Sequence, residues 1–176
     1  MKLRLLTIGL LAAVLLPAAA LADTATSADK ANGARACQAL RTSLTEATFK
    51  ATYGTNADKS NAFGKCVSAW TRAEHQNRHE AETACKAEQA DAGFAAAHGG
   101  KTFDQFYGLG KKGANALQRC VQLKRQAASV AERQATVKAA KSCKAERKSL
   151  GTEAFVAKYG TKANAFGKCV STLAHA

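Results

Sequence analysis

Beyond its first 22 residues the chain contains no proline, no isoleucine and no methionine, and only six valines. The scarcity of branched aliphatic residues disfavours β-sheets, and abundant alanine without proline favours long, uninterrupted helices. Large apolar side chains are also few, so a chain of this length can bury only a small hydrophobic core. The composition predicts an all-α protein that needs covalent support.

The first 22 residues have the pattern of a secretory signal peptide. Lys2 and Arg4 precede an apolar run that is too short to span a bilayer, and small residues ending at Ala22 form an A-x-A cleavage site. No second apolar run of membrane length follows. We therefore expect cleavage near Ala22 and a secreted or periplasmic protein that is not integral to a membrane.

An eight-residue phrase, NAFGKCVS, occurs at 61–68 and again at 164–171, and a related segment, NALQRCVQ, occurs at 115–122. Each phrase ends a repeat in which a Phe precedes a Tyr by four residues and a Gly follows the Tyr. The equivalent residues are Phe49, Tyr53 and Gly54 in copy one, Phe103, Tyr107 and Gly108 in copy two, and Phe155, Tyr159 and Gly160 in copy three.

Each part of the repeat has a structural interpretation. A Phe and a Tyr four residues apart lie on one face of a helix, and the Gly suits the left-handed position that ends a helix. The Asn that begins each phrase is a favoured N-cap. In the helix that follows, Phe63, Cys66, Val67 and Trp70 have the spacing of a buried face. Each copy is therefore predicted to be a helix, a short aromatic helix, a turn and a helix.

All six cysteines lie in the repeats, two in each copy. An even number of cysteines in an exported chain indicates disulfides, and no C-x-x-C or Cys/His cluster with zinc spacing occurs. Six cysteines allow fifteen connectivities, and the repeat symmetry favours pairing within each copy. The predicted bridges are Cys37–Cys66, Cys85–Cys120 and Cys143–Cys169.

The repeats divide the chain into seven segments. The linkers contain no Gly or Pro and are predicted to continue as helices into the neighbouring units. A unit of about 40 residues is marginally stable alone, so we expect the three units to pack side by side. The segments are the signal peptide (1–22), a disordered mature N-terminus (23–30), repeat one (31–70), a linker (71–79), repeat two (80–124), a helical linker (125–136) and repeat three (137–174).

The basic excess is the strongest indication of function. Removing Lys2 and Arg4 from the 26 basic side chains leaves 24, against 13 acidic ones. If the units stack regularly, basic residues at equivalent positions form neighbouring patches that attract anionic envelope polymers or extracellular nucleic acid. The alternative is that these basic side chains are only solvated and bind no partner. The candidate residues are Lys65, Arg119 and Lys168, directly before the second cysteine of each copy, and Lys59, Lys111, Lys112 and Lys162 in the preceding turns.

A metal site and an enzyme are the other hypotheses. His75 and His79 are four residues apart in a predicted helix and could share a metal ion, although Gln76 breaks the H-E-x-x-H pattern and two solvated histidines are the alternative. No G-x-S-x-G, P-loop or Gly-rich dinucleotide motif occurs, so we predict no catalytic residue and no cofactor. The prediction is a non-catalytic protein with a structural or polyanion-binding role. A weak metal-binding protein and an undetected secreted hydrolase are its alternatives.

The segment CKAERKSLGTEAFVAKYG at 143–160, together with the NAFGKCVS that follows it, resembles cysteine repeats of secreted bacterial proteins for which no activity is known. The resemblance covers copies one and three well and copy two loosely. It implies a bacterial origin and export, and it implies no catalytic residue.

Overall fold

The structure is a computed structural model that describes residues 24–110, 112–161 and 163–176. These residues form seven helices and no strand, which confirms the predicted all-α fold. None of the described helices is long and apolar enough to cross a membrane. The predicted signal peptide lies outside the described residues. The helices are α1 (Ser27–Ser43), α2 (Glu46–Tyr53), α3 (Ala62–Ala90), α4 (Phe94–Ala97), α5 (Phe103–Tyr107), α6 (Ala116–Tyr159, broken at Gly151) and α7 (Ala165–Ala174).

Two long helices, α3 and α6, run antiparallel, and each joins the last helix of one repeat to the first helix of the next. Cys85 of α3 is bonded to Cys120 of α6. Asn77, about two turns earlier on α3, contacts Glu132, which lies later on α6. Both predicted linkers lie inside these helices, so the prediction of continuous helical linkers is confirmed.

Each repeat is closed by a disulfide between two helices, as predicted. The cysteines are fully buried. Because a cross-link lowers the entropy of the unfolded chain, each bridge stabilises the fold by about 3 to 4 kcal/mol in the chain-entropy relation. The bridges are Cys37–Cys66, Cys85–Cys120 and Cys143–Cys169, with Cα–Cα distances of 5.9, 5.9 and 6.0 Å.

Copies one and three share one hydrophobic core, whereas copy two has a core of its own. The shared core contains Leu40 and Phe49 of copy one and Phe155 of copy three. Copy two buries Phe94 and Phe103 around its disulfide. A rise of 1.5 Å per residue places Cys85 about 28 Å from Cys66 along α3. Copy two therefore lies at the opposite end of the α3–α6 pair from the other two copies.

The mature N-terminus is more ordered than predicted. Helix α1 begins at Ser27, so the prediction that residues 23–30 are disordered is wrong from that residue onward. The cause is a capping box. The backbone N–H of Asp29 donates to Thr26 Oγ1 at 3.1 Å, and the N–H of Thr26 donates to Asp29 Oδ2 at 2.9 Å.

None of the glycines after the tyrosines has the predicted left-handed helical conformation. Gly160 has a positive φ of 105° but a ψ of −147°, and Gly54 and Gly108 have φ of −71° and −75°. A Cβ atom at Gly108 would collide with the backbone of Gly113, and one at Gly54 would lie 2.7 Å from the Lys59 side chain. In copies one and two, glycine is therefore required because the following loop approaches closely.

The asparagines stand at the N-cap positions of α3, α6 and α7, but none of these side chains caps its helix. The side chain of Asn61 instead accepts a hydrogen bond from the N–H of Thr55 at 3.0 Å and donates to its hydroxyl at 2.9 Å. The predicted N-cap hydrogen bonds are therefore wrong, and in copy one the asparagine closes the loop that precedes the helix.

The buried face of α3 differs from the predicted one at its first residue. Phe63 is 36% exposed, and Ala62, which is 3% exposed, lies in the core in its place. Cys66 and Trp70 follow at intervals of four residues and are buried as predicted. The periodicity located the cysteine side of the helix correctly, but an alanine packs where the phenylalanine was expected.

Candidate functional site

The predicted basic residues do not form a single surface. Lys65 and Lys168 are exposed in the first turns of α3 and α7. Arg119 lies in the first turn of α6, within copy two at the far end of the α3–α6 pair. Since the copies stand about 28 Å apart along α3, the structure does not bring the three equivalent residues together.

Two of the basic residues that were predicted to bind polyanions form hydrogen bonds with backbone carbonyl groups instead. Lys59 Nζ donates to the carbonyl oxygens of Gly54, at 2.9 Å, and Ala163, and so links copy one to copy three. Arg119 Nε donates to the carbonyl oxygen of Tyr107 at 2.9 Å. These contacts give both side chains a structural role. Of the remaining turn residues, Lys112 is exposed, and Lys111 and Lys162 lie outside the described residues.

A different basic surface lies on the C-terminal half of α6 and was not predicted from the sequence. We define this cationic face as Arg133, Lys138, Lys141, Lys144 and Lys148. The helical period aligns most of these positions on one side of α6. The four lysines are exposed and Arg133 is half-buried. The charge of this segment could have indicated the surface, because residues 133–148 contain six basic side chains and one acidic one, Glu146.

A groove with a volume of ≈ 490 Å³ lies between α1 and α6 and borders the cationic face. Its lining combines aliphatic residues with three cations and contains no aromatic side chain. Such a combination matches an anionic molecule that carries an aliphatic chain. The lining residues are Ala39, Leu40, Ser43, Val130, Arg133, Gln134, Val137, Lys138 and Lys141.

The two histidines of the metal hypothesis lie against each other, with ring centroids 4.7 Å apart. Nδ1 of His75 is 3.0 Å from Nη2 of Arg78 and 3.7 Å from the carboxylate of Asp29. Because Arg78 occupies this nitrogen and adds a positive charge, the arrangement disfavours a divalent cation at His75. Within the part of the chain that the structure describes, no three ligand-type side chains form a metal-binding group.

Asp29 connects α1 to α3 and α6. Its fully buried carboxylate lies 3.4 Å from Arg78 Nε and 3.8 Å from Arg125 Nη1. Burial acts to raise the pKa of Asp29, but hydrogen bonds with Thr26 and the positive charge of Arg78 bring this pKa below its usual value. The negative charge of this carboxylate at neutral pH therefore contributes to the packing of three helices.

A second set of polar residues lies between α3 and α6, and all of them are buried except Glu132, which is half-buried. We call Glu74, Asn77, Ser129, Glu132 and Thr136 the polar seam. Ser129 Oγ donates to Glu74 Oε1 at 2.5 Å, and Asn77 Nδ2 donates to Glu132 Oε2 at 3.2 Å. No basic side chain among the described residues forms an ion pair with either carboxylate. The seam therefore holds two carboxylates that have no ion-pair partner among the described residues.

The polar seam borders a pocket with a volume of ≈ 270 Å³ between α2, α3, α6 and α7. Burial raises the pKa of Glu132, the hydrogen bond from Asn77 acts to lower it, and the negative charge of Glu74 raises it further. No sequence pattern indicated this pocket, because its walls come from distant segments. They are Thr52, Tyr53, Ala69, Trp70, Ala73, Glu132, Thr136, Gly167, Val170, Ser171, Ala174 and His175.

A scan against protein-family models finds no matching family, and searches of curated proteins and of solved structures find no match. The resemblance to secreted bacterial cysteine repeats therefore stays a prediction. The three disulfides are consistent with an extracellular or otherwise oxidising compartment. Export through a signal peptide stays a prediction as well, because residues 1–22 lie outside the described part of the chain.

Proposed function

We propose that the mature protein is an exported, non-catalytic protein that binds anionic polymers of the cell envelope through the cationic face of α6. The supporting observation is that five basic side chains lie together and that no described carboxylate pairs with them. The nearby carboxylate of Glu146 is held by Tyr159 and Lys158, at 2.8 and 2.6 Å. Unpaired charges of one sign on one surface create a positive potential that attracts polyanions.

The groove beside the cationic face favours an acylated polymer over nucleic acid. An aliphatic groove can bury part of an acyl chain, and each buried CH₂ group contributes about 0.8 kcal/mol. Bases, by contrast, bind single-strand-binding proteins by stacking on aromatic side chains, and the groove lining contains none. Lipopolysaccharide and lipoteichoic acid have the required combination of anionic groups and acyl chains.

The proposal is tested by measuring the affinity of the mature protein for immobilised lipopolysaccharide at several salt concentrations. The variant carries Lys138→Gln, Lys141→Gln, Lys144→Gln and Lys148→Gln. We expect weaker binding, a smaller salt dependence and unchanged helicity, because all four side chains are exposed. With duplex DNA as a reference polyanion, losing four contacts reduces the slope of log K against log salt by up to about 3.6.

A control variant removes the same number of charges elsewhere, through Lys65→Gln, Lys86→Gln, Lys112→Gln and Lys168→Gln. It should keep most of the affinity. An equal loss in both variants would mean that only net charge matters and would contradict the assignment to α6. Deacylated lipopolysaccharide should bind more weakly than the intact molecule if the groove holds an acyl chain. Absence of binding at low salt contradicts the whole proposal.

A further inference from the structure

The pocket beside the polar seam has the composition of a small-molecule site. Helices α2, α3, α6 and α7 meet around it, so both copies of the shared core contribute to its walls. Most of its lining is apolar, and Glu132 is the one carboxylate in it. Its volume of ≈ 270 Å³ is close to the lower end of the range for ligand pockets, about 300 to 1,000 Å³. The pocket suits a small metabolite.

No described basic side chain forms an ion pair with Glu132 in this pocket. Its hydrogen bond comes from the neutral amide of Asn77. His175 also lines the pocket, and its charge acts to lower the pKa of Glu132, but the two side chains form no ion pair within the described residues. Glu74, the second carboxylate of the polar seam, adds negative charge from the buried side. A half-buried carboxylate without a cation is unfavourable, and a positively charged ligand compensates it.

Two aromatic rings stand in the same wall. Trp70 Nε1 donates to the hydroxyl oxygen of Tyr53 at 3.0 Å, so the two rings hold each other in place. Both residues line the pocket. Aromatic rings attract cations through the negative charge of their faces, and this is how proteins recognise quaternary ammonium groups. A metal ion is a poorer match, because no three His, Cys, Asp or Glu side chains among the described residues form a metal-binding group.

We propose that this pocket binds a small organic ammonium cation, with Glu132 as its charge partner and Trp70 and Tyr53 as its aromatic walls. None of the lining residues belongs to the cationic face of α6. The proposal is therefore independent of polyanion binding.

Trp70 is the only tryptophan in the chain, so its fluorescence reports directly on the pocket. Choline is the probe, and its neutral isostere 3,3-dimethylbutan-1-ol is the matched control ligand. We expect a saturable fluorescence change with choline and none at the same concentrations of the alcohol. Equal responses to the two ligands, or no saturable response to choline, overturn the proposal.

The variant Glu132→Gln separates a binding role from a structural one. It keeps the hydrogen bond from Asn77 but removes the charge, so choline affinity should fall about tenfold or more. Glu153→Gln removes an exposed carboxylate outside the pocket and should bind choline as the wild type does. Ala174→Leu narrows the pocket while keeping Glu132, and it should also weaken binding. Wild-type affinity in a folded Glu132→Gln protein overturns the proposal.

Discussion

Tyr107 donates a hydrogen bond of 2.9 Å from its hydroxyl to the carboxylate of Glu88. Lys124 pairs with the other oxygen of the same carboxylate at 2.7 Å. The Glu88 carboxylate lies beside the disulfide of copy two, at 3.9 Å from Cys120 Sγ. The short aromatic helix α5 is thereby tied to both long helices of the fold.

The other copies tie their tyrosines in related ways. In copy three, Tyr159 donates to Glu146, which follows the first cysteine by three residues, as Glu88 does in copy two. In copy one, Leu40 occupies that position, and the indole N–H of Trp70 donates to Tyr53 instead. All three tyrosines also pack against a core, and they are partly buried. The repeat therefore preserves a bonded tyrosine hydroxyl even where the bonding partner has changed.

The Tyr107–Glu88 contact makes an alkaline titration informative. Burial, the hydrogen bond to Glu88 and the charge of Glu88 raise the pKa of Tyr107 to about 12. Since this pKa is higher in the folded chain than in the unfolded one, the stabilisation is complete below about pH 10 and is lost as the pH rises towards 12. Burial also raises the pKa of Tyr53, so ultraviolet titration of the folded protein should show two late-ionising tyrosines, of which Tyr107→Phe removes one. An unchanged number of late-ionising tyrosines in this variant contradicts the assignment.

The separate core of copy two predicts a local effect of its disulfide. Replacing Cys85 and Cys120 with Ala should remove about 4 kcal/mol of stability from this unit in the chain-entropy relation. Hydrogen exchange should therefore accelerate in α4 and α5, while the amides of α1 keep their protection, because α1 packs in the other core. In the matched variant that lacks the Cys143–Cys169 disulfide, hydrogen exchange should accelerate in the shared core instead. Hydrogen exchange that accelerates equally over the whole chain in both variants argues against two separate cores.

Two helical glycines should respond oppositely to alanine. A Cβ atom at Gly33 of α1 would lie 2.7 Å from the backbone nitrogen of Thr71 on α3, so Gly33→Ala should force the helices apart and cost about 1 to 3 kcal/mol. Gly64 has nothing within 4 Å of its Cβ position, and Gly64→Ala should stabilise the helix by up to about 1 kcal/mol. Chemical denaturation measures both changes. A stability change of the same sign in both variants would contradict the close approach of α1 and α3.

The unpaired carboxylate of Glu132 should limit stability at neutral pH. Its pKa is raised in the folded protein, chiefly by burial, so the folded chain binds this proton more tightly than the unfolded chain does. The cost is present above the folded pKa and disappears as the pH falls through it. We expect Glu132→Gln to raise Tm at pH 7 and to lose this advantage in acid, with Glu153→Gln near wild type at both. A lower Tm for Glu132→Gln at pH 7 would show that its charge is compensated.

Much of the local structure followed from the sequence. Alanine-rich segments without proline have a high helix propensity, and the linkers are helical as predicted. The repeat symmetry selected the correct disulfides, because each copy carries its two cysteines on helices that pack together. The T-x-x-D capping box at Thr26 was also visible, but it was overlooked, and α1 was predicted to start too late.

The candidate sites, in contrast, depend on distances between the copies, and these distances cannot be deduced from equivalent positions in the repeats. The long helices α3 and α6 carry Arg119 away from Lys65 and Lys168, so equivalent positions do not share a surface. Periodicity shows that a helix has faces, but it does not show which basic face stays uncovered, and the cationic face of α6 was therefore missed. Glu132 and Trp70 are far apart in the chain and meet only because copies one and three bury their scarce apolar side chains in a single core. Local sequence is therefore sufficient to predict the helices and their covalent links. Which charges and which pocket stay accessible depends on tertiary packing, because burial results from contacts between distant segments.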